Sequence, residues 1–294
     1  MRISGFSFVR NAIELYYPVV ESIRSILPIC DEFVIAAGDS TDGTTELLRS
    51  IDDPKVKIIE TVWDRNLFKR GAINAQQTNI ALDACTGDWC FYVQADEVVH
   101  ERYLPALHAR METYLADDRI EGLLFDYVHF FADYEHYHTS HTWYRREVRI
   151  VRNRIGARSW KSAQGFRFAD GRKLHVAHAY AAIYHYGWVR PPRNMTRKRI
   201  AFVTIHEGAE TAQQKFPDAN ASFDFGLLKG RTRFSGTHPA VMQARIEEKN
   251  WTVHASPEST QRHDRLSERA LSFVEQRILG FKVGEHRNYI LLPS

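Results

Sequence analysis

The sequence predicts an α/β fold with a Rossmann-like, mostly parallel central sheet flanked by helices, followed by a mainly helical C-terminal region. Short β-rich apolar segments alternate with segments of helical periodicity along roughly the first third of the chain. A β-α-β-α-β-α-β order favours right-handed crossovers and a parallel sheet. Polar clusters follow three of the predicted strands, where such sheets bind their ligands.

The bulk composition excludes several classes of protein. The chain has 294 residues, 44% of them hydrophobic and 26% charged, which is typical of a globular protein. No apolar run has the length of a membrane span, and the N-terminus is better explained as a strand than as a signal peptide. The net charge of +3 permits attraction to phosphates or to an anionic lipid surface, without demanding nucleic acid. Three cysteines without metal-type spacing suit a reducing cytosol.

The first hundred residues supply the parallel part of the sheet. Apolar runs predict strands at residues 2–9, 32–37, 55–60 and 89–93. Helical spacing predicts helices at residues 12–27, directly after the GDSTDGT segment, and at 71–84. These elements give the alternation on which the fold prediction depends.

The pattern is less regular after residue 100. A helix is predicted at residues 102–116, and strands at 122–131, 148–151, 174–176 and 182–186. Pro191-Pro192 is the clearest break, and from about residue 195 the chain is mostly helical, basic and aromatic. We therefore divide the chain into residues 1–100, 101–192 and 193–294.

The GDSTDGT segment follows the second strand and contains Asp39 and Asp42. Ser, Thr and Asp before a helix are ordinary N-caps, which accounts for one of the two acids. A second acid at the edge of a parallel sheet can accept a hydrogen bond from a base N–H or a ribose hydroxyl. Both interpretations stay open from the residues alone.

Asp96 and Glu97 stand side by side after the buried strand CFYV. Adjacent carboxylates repel each other and are costly to desolvate unless positive charge compensates them. A divalent cation such as magnesium or manganese, which prefers oxygen ligands and bridges to phosphates, would do so. The alternative is a helix N-terminus, where acids are also favourable.

Arg10-Asn11 after the first strand, GDSTDGT after the second and QADE after the fourth together resemble the family-two glycosyltransferases of the GT-A fold. In that family the acid that matches Asp39 binds the nucleotide base. The acids after the fourth strand form a D-x-D motif that holds the metal and the diphosphate. The segment GAINAQQTNIAL resembles the family's G-x-x-x-A-R-N-x-G helix. The resemblance covers about residues 1–100.

The resemblance implies a set of site residues. The nucleotide-sugar site is expected at Arg10, Asn11, Asp39, Asp42, Arg70, Asn79 and Asp96, and the manganese or magnesium site at Asp96, Glu97 and His185. Gln94 replaces the first acid of the motif, so Asp96 is the expected direct ligand, with Glu97 supporting it or binding through water. Gln77-Thr78 replaces the family's usual Arg, and Lys69-Arg70 could supply that charge. A lone strand histidine such as His185 is more often structural, but the resemblance makes a metal ligand an equal alternative.

An inverting transfer also needs a general base, and Asp or Glu is usual. Glu147, within TWYRREVRIVRN, is the first candidate, although a salt-bridged strand residue is the more ordinary interpretation. Asp133 and Asp170 are the alternatives. The family's acid pair after this strand is absent, since that region reads WKSAQGF. The basic patch Arg190, Arg193, Arg197, Lys198 and Arg199 could hold the leaving diphosphate or form a solvated helix face.

The expected function is a metal-dependent, inverting glycosyltransferase. It would take a nucleotide-sugar donor and a glycan or lipid-linked saccharide acceptor, the latter on family analogy. Residues 1–100 would be the nucleotide-sugar-binding half of a GT-A domain, 101–192 its acceptor-binding half, and 193–294 a helical extension. A non-catalytic glycosyltransferase-like binding module and a nucleotidyltransferase are the alternatives. We expect a cytoplasmic protein without a nucleic-acid partner, and peripheral contact with the inner face of the membrane stays open.

Overall fold

The computed structural model describes residues 1–226, 228, 231–253, 271–275, 278, 282–284 and 287–293. The first elements are β1 (Ile3–Val9), α1 (Val19–Ile26), β2 (Glu32–Ala37), α2 (Thr44–Arg49), β3 (Val56–Glu60), α3 (Ala72–Asp83) and β4 (Trp89–Tyr92). The next are β5 (Glu97–Val99), α4 (Leu104–Leu115), β6 (Gly122–Phe131), β7 (His136–His138), β8 (Arg146–Arg152), β9 (Arg158–Ser159), β10 (Phe166–Arg167) and β11 (Leu174–Trp188). The last are α5 (Pro192–Glu207), α6 (Ala209–Lys215), β12 (Thr232–Arg233), α7 (Gln243–Glu247) and β13 (Tyr289–Leu291).

The central sheet is parallel in its first half and mixed in its second. β3, β2, β1 and β4 lie side by side in that order, and all three pairings are parallel. The order continues with β8, β6, β7 and β12, and β8 runs antiparallel to both of its neighbours. β11 pairs in parallel with β6 and antiparallel with β5. This arrangement confirms the predicted fold class.

The apolar core covers both faces of the parallel strands. In β2, Phe33 and Ile35 pack in the cluster that contains α1 and α4, whereas Val34 and Ala36 pack in the cluster that contains α3. Every residue of β2 is buried. A strand covered on both faces reads as a continuous apolar run, which is why EFVIAA is recognisable in the sequence.

The first helix is shorter than predicted, because residues 11–17 form a turn. Asn11 and Tyr16 have positive φ values of 53° and 57°, and Pro18 stands directly before α1. The carbonyl of Ala12 accepts a hydrogen bond from Tyr17 N at 2.8 Å. The apolar residues of this segment, although spaced as in a helix, therefore lie in a compact turn at the carboxyl edge of β1.

The two strands predicted at residues 174–176 and 182–186 are parts of one long strand, β11. Its register against β6 shifts between His178 and Ala182, and again between His185 and Trp188. Such irregularities re-aim side chains relative to the sheet. The second shift lies beside His185 and so affects the edge where the polar clusters meet.

The region that begins at residue 193 opens with α5, whose first residue is Pro192 as helix geometry favours. The predicted extension lies in part outside the described residues, which include neither 254–270 nor 279–281. No helix in the described part of the chain is both long and apolar enough to cross a membrane.

Candidate functional site

A cavity of about 800 Å³ opens at the carboxyl edge of the parallel strands. Its walls are formed by the end of β1, the loop after β3, the turn after β4, the end of β11 and α5. The size suits a small-molecule site. The side chains that line it include Arg10, Asn11, Glu14, Trp63, Phe68, Asn74, Gln94, Asp96, His185, Trp188, Lys198 and Phe202.

Asp96 lies in the turn between β4 and β5 and lines this cavity with only 7% of its surface exposed. Its Oδ2 is 3.0 Å from Lys198 Nζ, 3.8 Å from His185 Nε2 and 4.0 Å from Arg190 Nη2. Burial raises the pKa of Asp96, but the Lys198 ammonium and the groups beside it outweigh burial and hold the pKa well below its usual range. Asp96 is therefore an anion on the cavity wall.

Glu97 is fully buried and points into the protein instead. Arg149 donates to both carboxylate oxygens at 2.8 Å, from Nε to Oε2 and from Nη2 to Oε1. Gln94 N donates to Oε2 at 3.0 Å, and Tyr127 Oη donates to Oε1 at 2.8 Å. This bidentate pair joins β5 to β8 and stabilises the turn that presents Asp96. The metal-ligand role of Glu97 stays a prediction, since its oxygens are engaged within the protein.

His185 reaches the cavity from β11 and is 9% exposed. Its Nδ1 lies 2.8 Å from Nδ1 of the buried His129, and His129 Nε2 lies 2.7 Å from the Tyr144 carbonyl oxygen. Burial lowers the pKa of His129 well below its usual range, and the neighbouring His185 lowers it further. His129 is accordingly neutral at physiological pH.

Gly187 lets the backbone pass close to the side chains of His185 and Asp96, where there is no room for a further side chain. A Cβ at this position would overlap His185 Nε2 and would lie 2.9 Å from Asp96 Oδ2. The described residues contain no group of three His, Cys, Asp or Glu side chains that could hold a metal ion. One carboxylate and one imidazole nevertheless fit a manganese or magnesium ion whose other ligands come from phosphate oxygens and water.

Positive charge surrounds this edge of the cavity. Lys198 Nζ also donates to the Gly187 carbonyl at 2.7 Å, as does Arg190 Nη2 at 2.8 Å. Burial, together with the nearby Arg190, lowers the pKa of Lys198 to about 8. Arg197 and Arg199 line the cavity from the same helix, whereas Arg193 is exposed. The cations outnumber Asp96, so the cavity favours an anionic ligand.

The residues predicted to bind the nucleotide occupy two different settings. Arg10 and Asn11 line the cavity, and Arg10 Nε pairs with Asp39 Oδ1 at 3.0 Å. Asp39 Oδ1 also accepts from Trp63 N at 3.2 Å. Asp42 instead accepts from Thr44 N, Thr44 Oγ1 and Glu14 N at 3.1, 2.6 and 2.7 Å, so it holds the turn before α2.

Three other predicted residues lie away from the cavity lining. Arg70 is exposed in a left-handed turn with φ 53°. Asn79 Oδ1 accepts from Ser159 N at 2.9 Å and so ties α3 to β9. Glu147 lies on β8, with Oε2 3.0 Å from the position of a Cβ at Gly165. Their site roles stay predictions.

Sequence reasoning did not single out Trp63, Asn74, Gly187 or His129, and it placed Lys198 only within a basic patch. Gly187 carried a usable signal, because residues two apart on a strand share a face and His185 precedes it at that spacing. His129 carried none, since its contact with His185 joins positions 56 residues apart.

The model of glycosyl transferase family 2 matches residues 9–191, more than half of the chain. A search of curated proteins finds no match. Among solved structures, the chain is similar to the mannosyltransferase PcManGT from Pyrobaculum calidifontis in complex with GDP-Man and Mn²⁺, at 23% identity and a TM-score of 0.31. The matched region covers 42% of this chain and 34% of the PcManGT chain.

Two structures of TarS from S. aureus are also similar. TarS 1-349 in complex with UDP-GlcNAc is 19% identical over 44% of this chain and 35% of that chain, with a TM-score of 0.31. The same fragment in complex with UDP is 14% identical over 73% of this chain and 69% of that chain, with a TM-score of 0.40. These values are too low for the transfer of any residue's role.

Proposed function

Because the chain belongs to glycosyl transferase family 2, we propose that it takes a nucleotide-sugar donor, requires a divalent cation and inverts the configuration of the anomeric carbon. The family identity confirms the resemblance seen in the sequence. Donor, metal, stereochemistry and acceptor are proposals, each supported by particular residues.

The arrangement of Asp96 and His185 over Gly187 carries the proposal. A buried anion and an imidazole lie 3.8 Å apart on the wall of a cavity of about 800 Å³. Asp96 and His185 would hold a manganese or magnesium ion, which when bound neutralises charge on a diphosphate. The donor set is small, as expected when substrate phosphates complete the coordination.

The donor diphosphate would lie between Asp96 and α5. Lys198, Arg197 and Arg199 present positive charge to the same space. In the proposed reaction they stabilise the negative charge that develops on the leaving nucleoside diphosphate. The base and ribose would lie toward Arg10, Asn11 and Asp39, with Trp63 available for stacking.

The acceptor hydroxyl would attack the anomeric carbon from the face opposite the leaving diphosphate. We propose Glu147, which lies on β8 outside the cavity lining, as the base that removes its proton, and this role requires the acceptor hydroxyl to reach that side chain. Glu147→Gln should then lower kcat by orders of magnitude with little change in donor affinity, measured by steady-state kinetics and donor titration. If the variant mainly loses thermal stability, Glu147 is a structural residue.

The acceptor is proposed to be a glycan or lipid-linked saccharide, reached from the cytoplasmic side of a membrane. Aromatic side chains on the cavity wall, among them Phe68, Trp188 and Phe202, suit contact with sugar rings or lipid. The basic residues of α5 suit an acidic acceptor or an anionic surface.

A thermal-shift panel tests the donor proposal. The protein is heated with UDP-, GDP-, CMP- and dTDP-sugars, each with and without manganese. We expect one nucleotide class to raise the melting temperature, and manganese to increase that shift, because a ligand that binds only the folded state stabilises it. No shift with any nucleotide sugar would refute the donor proposal, and an equal shift without manganese would refute the metal.

A further inference from the structure

His185 and His129 approach each other through the same ring nitrogen, Nδ1, and this contact restricts which nitrogens carry their protons. The two Nδ1 atoms are 2.8 Å apart, and the rings belong to neighbouring strands, β11 and β6. Both side chains are buried, with 9% and 2% of their surfaces exposed. One nitrogen of this pair must donate and the other must accept.

The Tyr144 carbonyl decides the direction. A carbonyl oxygen only accepts, so the proton on His129 must be on Nε2, 2.7 Å away. A neutral His129 then has a bare Nδ1, which can only accept. A neutral His185 therefore donates from Nδ1, and its Nε2 then presents a lone pair toward Asp96 Oδ2 at 3.8 Å.

We propose that His129 is a positioning residue that keeps His185 in the tautomer with a free Nε2 lone pair facing Asp96 and Gly187. A divalent cation binds only such an unprotonated nitrogen, and the partner of the other ring nitrogen sets which nitrogen that is. The inference rests on the proposed cation site, to which it adds the residue that prepares it.

The surroundings of His129 keep its ring in place. Tyr127 stacks on it with ring centroids 5.1 Å apart, and Trp143 packs against it at 4.9 Å. Tyr127 also donates to Glu97, so the same side chain contacts both the histidine pair and the Glu97–Arg149 pair. Rotation of the ring would therefore disturb several contacts at once.

Long-range ¹H–¹⁵N NMR on the metal-free protein tests the tautomers directly. We expect His185 to be protonated at Nδ1 and His129 at Nε2, with His185→Asn and His129→Asn used to assign the signals. A neutral His185 that carries its proton on Nε2 instead of Nδ1 would overturn the proposal. The measurement uses neither donor nor metal, so its outcome is independent of whether the nucleotide-sugar proposal holds.

Manganese affinity tests the functional consequence. Mn²⁺ binding in the presence of each nucleoside diphosphate would be measured by electron paramagnetic resonance for the wild type, His129→Asn and His129→Leu. The Asn oxygen can replace Nδ1 as acceptor, so this variant should retain affinity. Leu offers no acceptor and should weaken Mn²⁺ binding by about 10- to 100-fold.

His138 offers a matched control. It lies directly opposite His129 on β7 and is 5% exposed, but its Nδ1 accepts from Arg231. His138→Leu should lower thermal stability and reduce Mn²⁺ affinity less than His129→Leu does, because it disturbs only Trp143, which packs on both rings. Equal loss of affinity in His129→Asn and His129→Leu would show a merely structural role and overturn the proposal.

Discussion

Two buried acids lie at opposite edges of the same parallel sheet, and their surroundings differ. Glu32 begins β2 at the amino edge and is 1% exposed. Its oxygens accept from Ser4 Oγ, Lys57 Nζ and both donors of Thr86, at 2.6 to 2.7 Å. Asp96, at the carboxyl edge, meets two cations, an imidazole and open space.

The difference separates a structural acid from one that awaits a ligand. Around Glu32 the chain supplies four hydrogen-bond donors and two cations, Lys57 and Arg2, so the carboxylate is fully engaged within the fold. Around Asp96 positive charge is in excess, and the adjoining cavity can hold an anion. Buried charges are costly unless they are paired, so an excess of this kind indicates a function outside the fold itself.

Asp96→Asn should remove the function at the carboxyl edge of the sheet without affecting the contacts of Glu32 at the amino edge. We expect transfer to fall at least about 1,000-fold, or about 4 kcal/mol in the barrier, because the charge that would hold the cation is removed. Steady-state kinetics gives the loss, and circular dichroism should show that the variant still folds, with a lower melting temperature because Lys198 and Arg190 lose their buried counter-ion. Unchanged turnover would remove the cation site.

Glu97→Ala, at the neighbouring position, should mainly lower the stability of the fold. It leaves Arg149 buried without its partner, so the free energy of unfolding should fall by about 3–5 kcal/mol in a urea titration. The double variant Glu97→Met/Arg149→Met should recover much of this loss. If Glu97→Ala instead keeps its stability and loses manganese-dependent nucleotide binding, Glu97 is a metal ligand.

Gly187→Ala should disturb the arrangement of His185 beside Asp96. The added Cβ would displace His185 Nε2, so manganese-dependent nucleotide affinity should fall by about 10- to 100-fold in calorimetric titration. Gly122→Ala is the control, because its Cβ would meet the Ile150 carbonyl inside the sheet and should cost stability alone. Unaltered affinity in Gly187→Ala would place the cation elsewhere.

The smallest expected effect concerns Glu32 and acid. Burial raises the pKa of Glu32, but Lys57, Ser4 and Thr86 outweigh it and lower the pKa from 4.5 to about 2. The unfolded chain thus binds the proton more readily, so Glu32 stabilises the fold above pH 4.5 and this stabilisation is lost as the pH falls through about 2.

Glu32→Gln should therefore cost about 1–3 kcal/mol in the free energy of unfolding at neutral pH, and progressively less as the pH falls below 4.5. Urea titrations of both proteins between pH 7 and about pH 2 measure the difference. Sugar transfer by the folded variant should be unchanged. A difference in stability that does not depend on pH would mean that packing, and not charge, makes Glu32 important.

Sequence was enough to predict the parallel half of the sheet, its carboxyl edge and the family, because these follow from local patterns. EFVIAA and CFYV are apolar on both faces, so they predict buried strands. GDSTDGT and QADE follow their strands directly, so strand direction alone brings Asp39 and Asp96 to one edge.

The roles of neighbouring and distant residues required the folded chain. Asp96 and Glu97 are adjacent in sequence, yet the turn and the antiparallel strand β5 send one to the cavity and the other to Arg149. The pairing of His129 with His185 and the approach of Lys198 to Asp96 span 56 and 102 residues. No local pattern encodes such contacts, because side-chain packing between distant elements determines which charges meet and which face an open space.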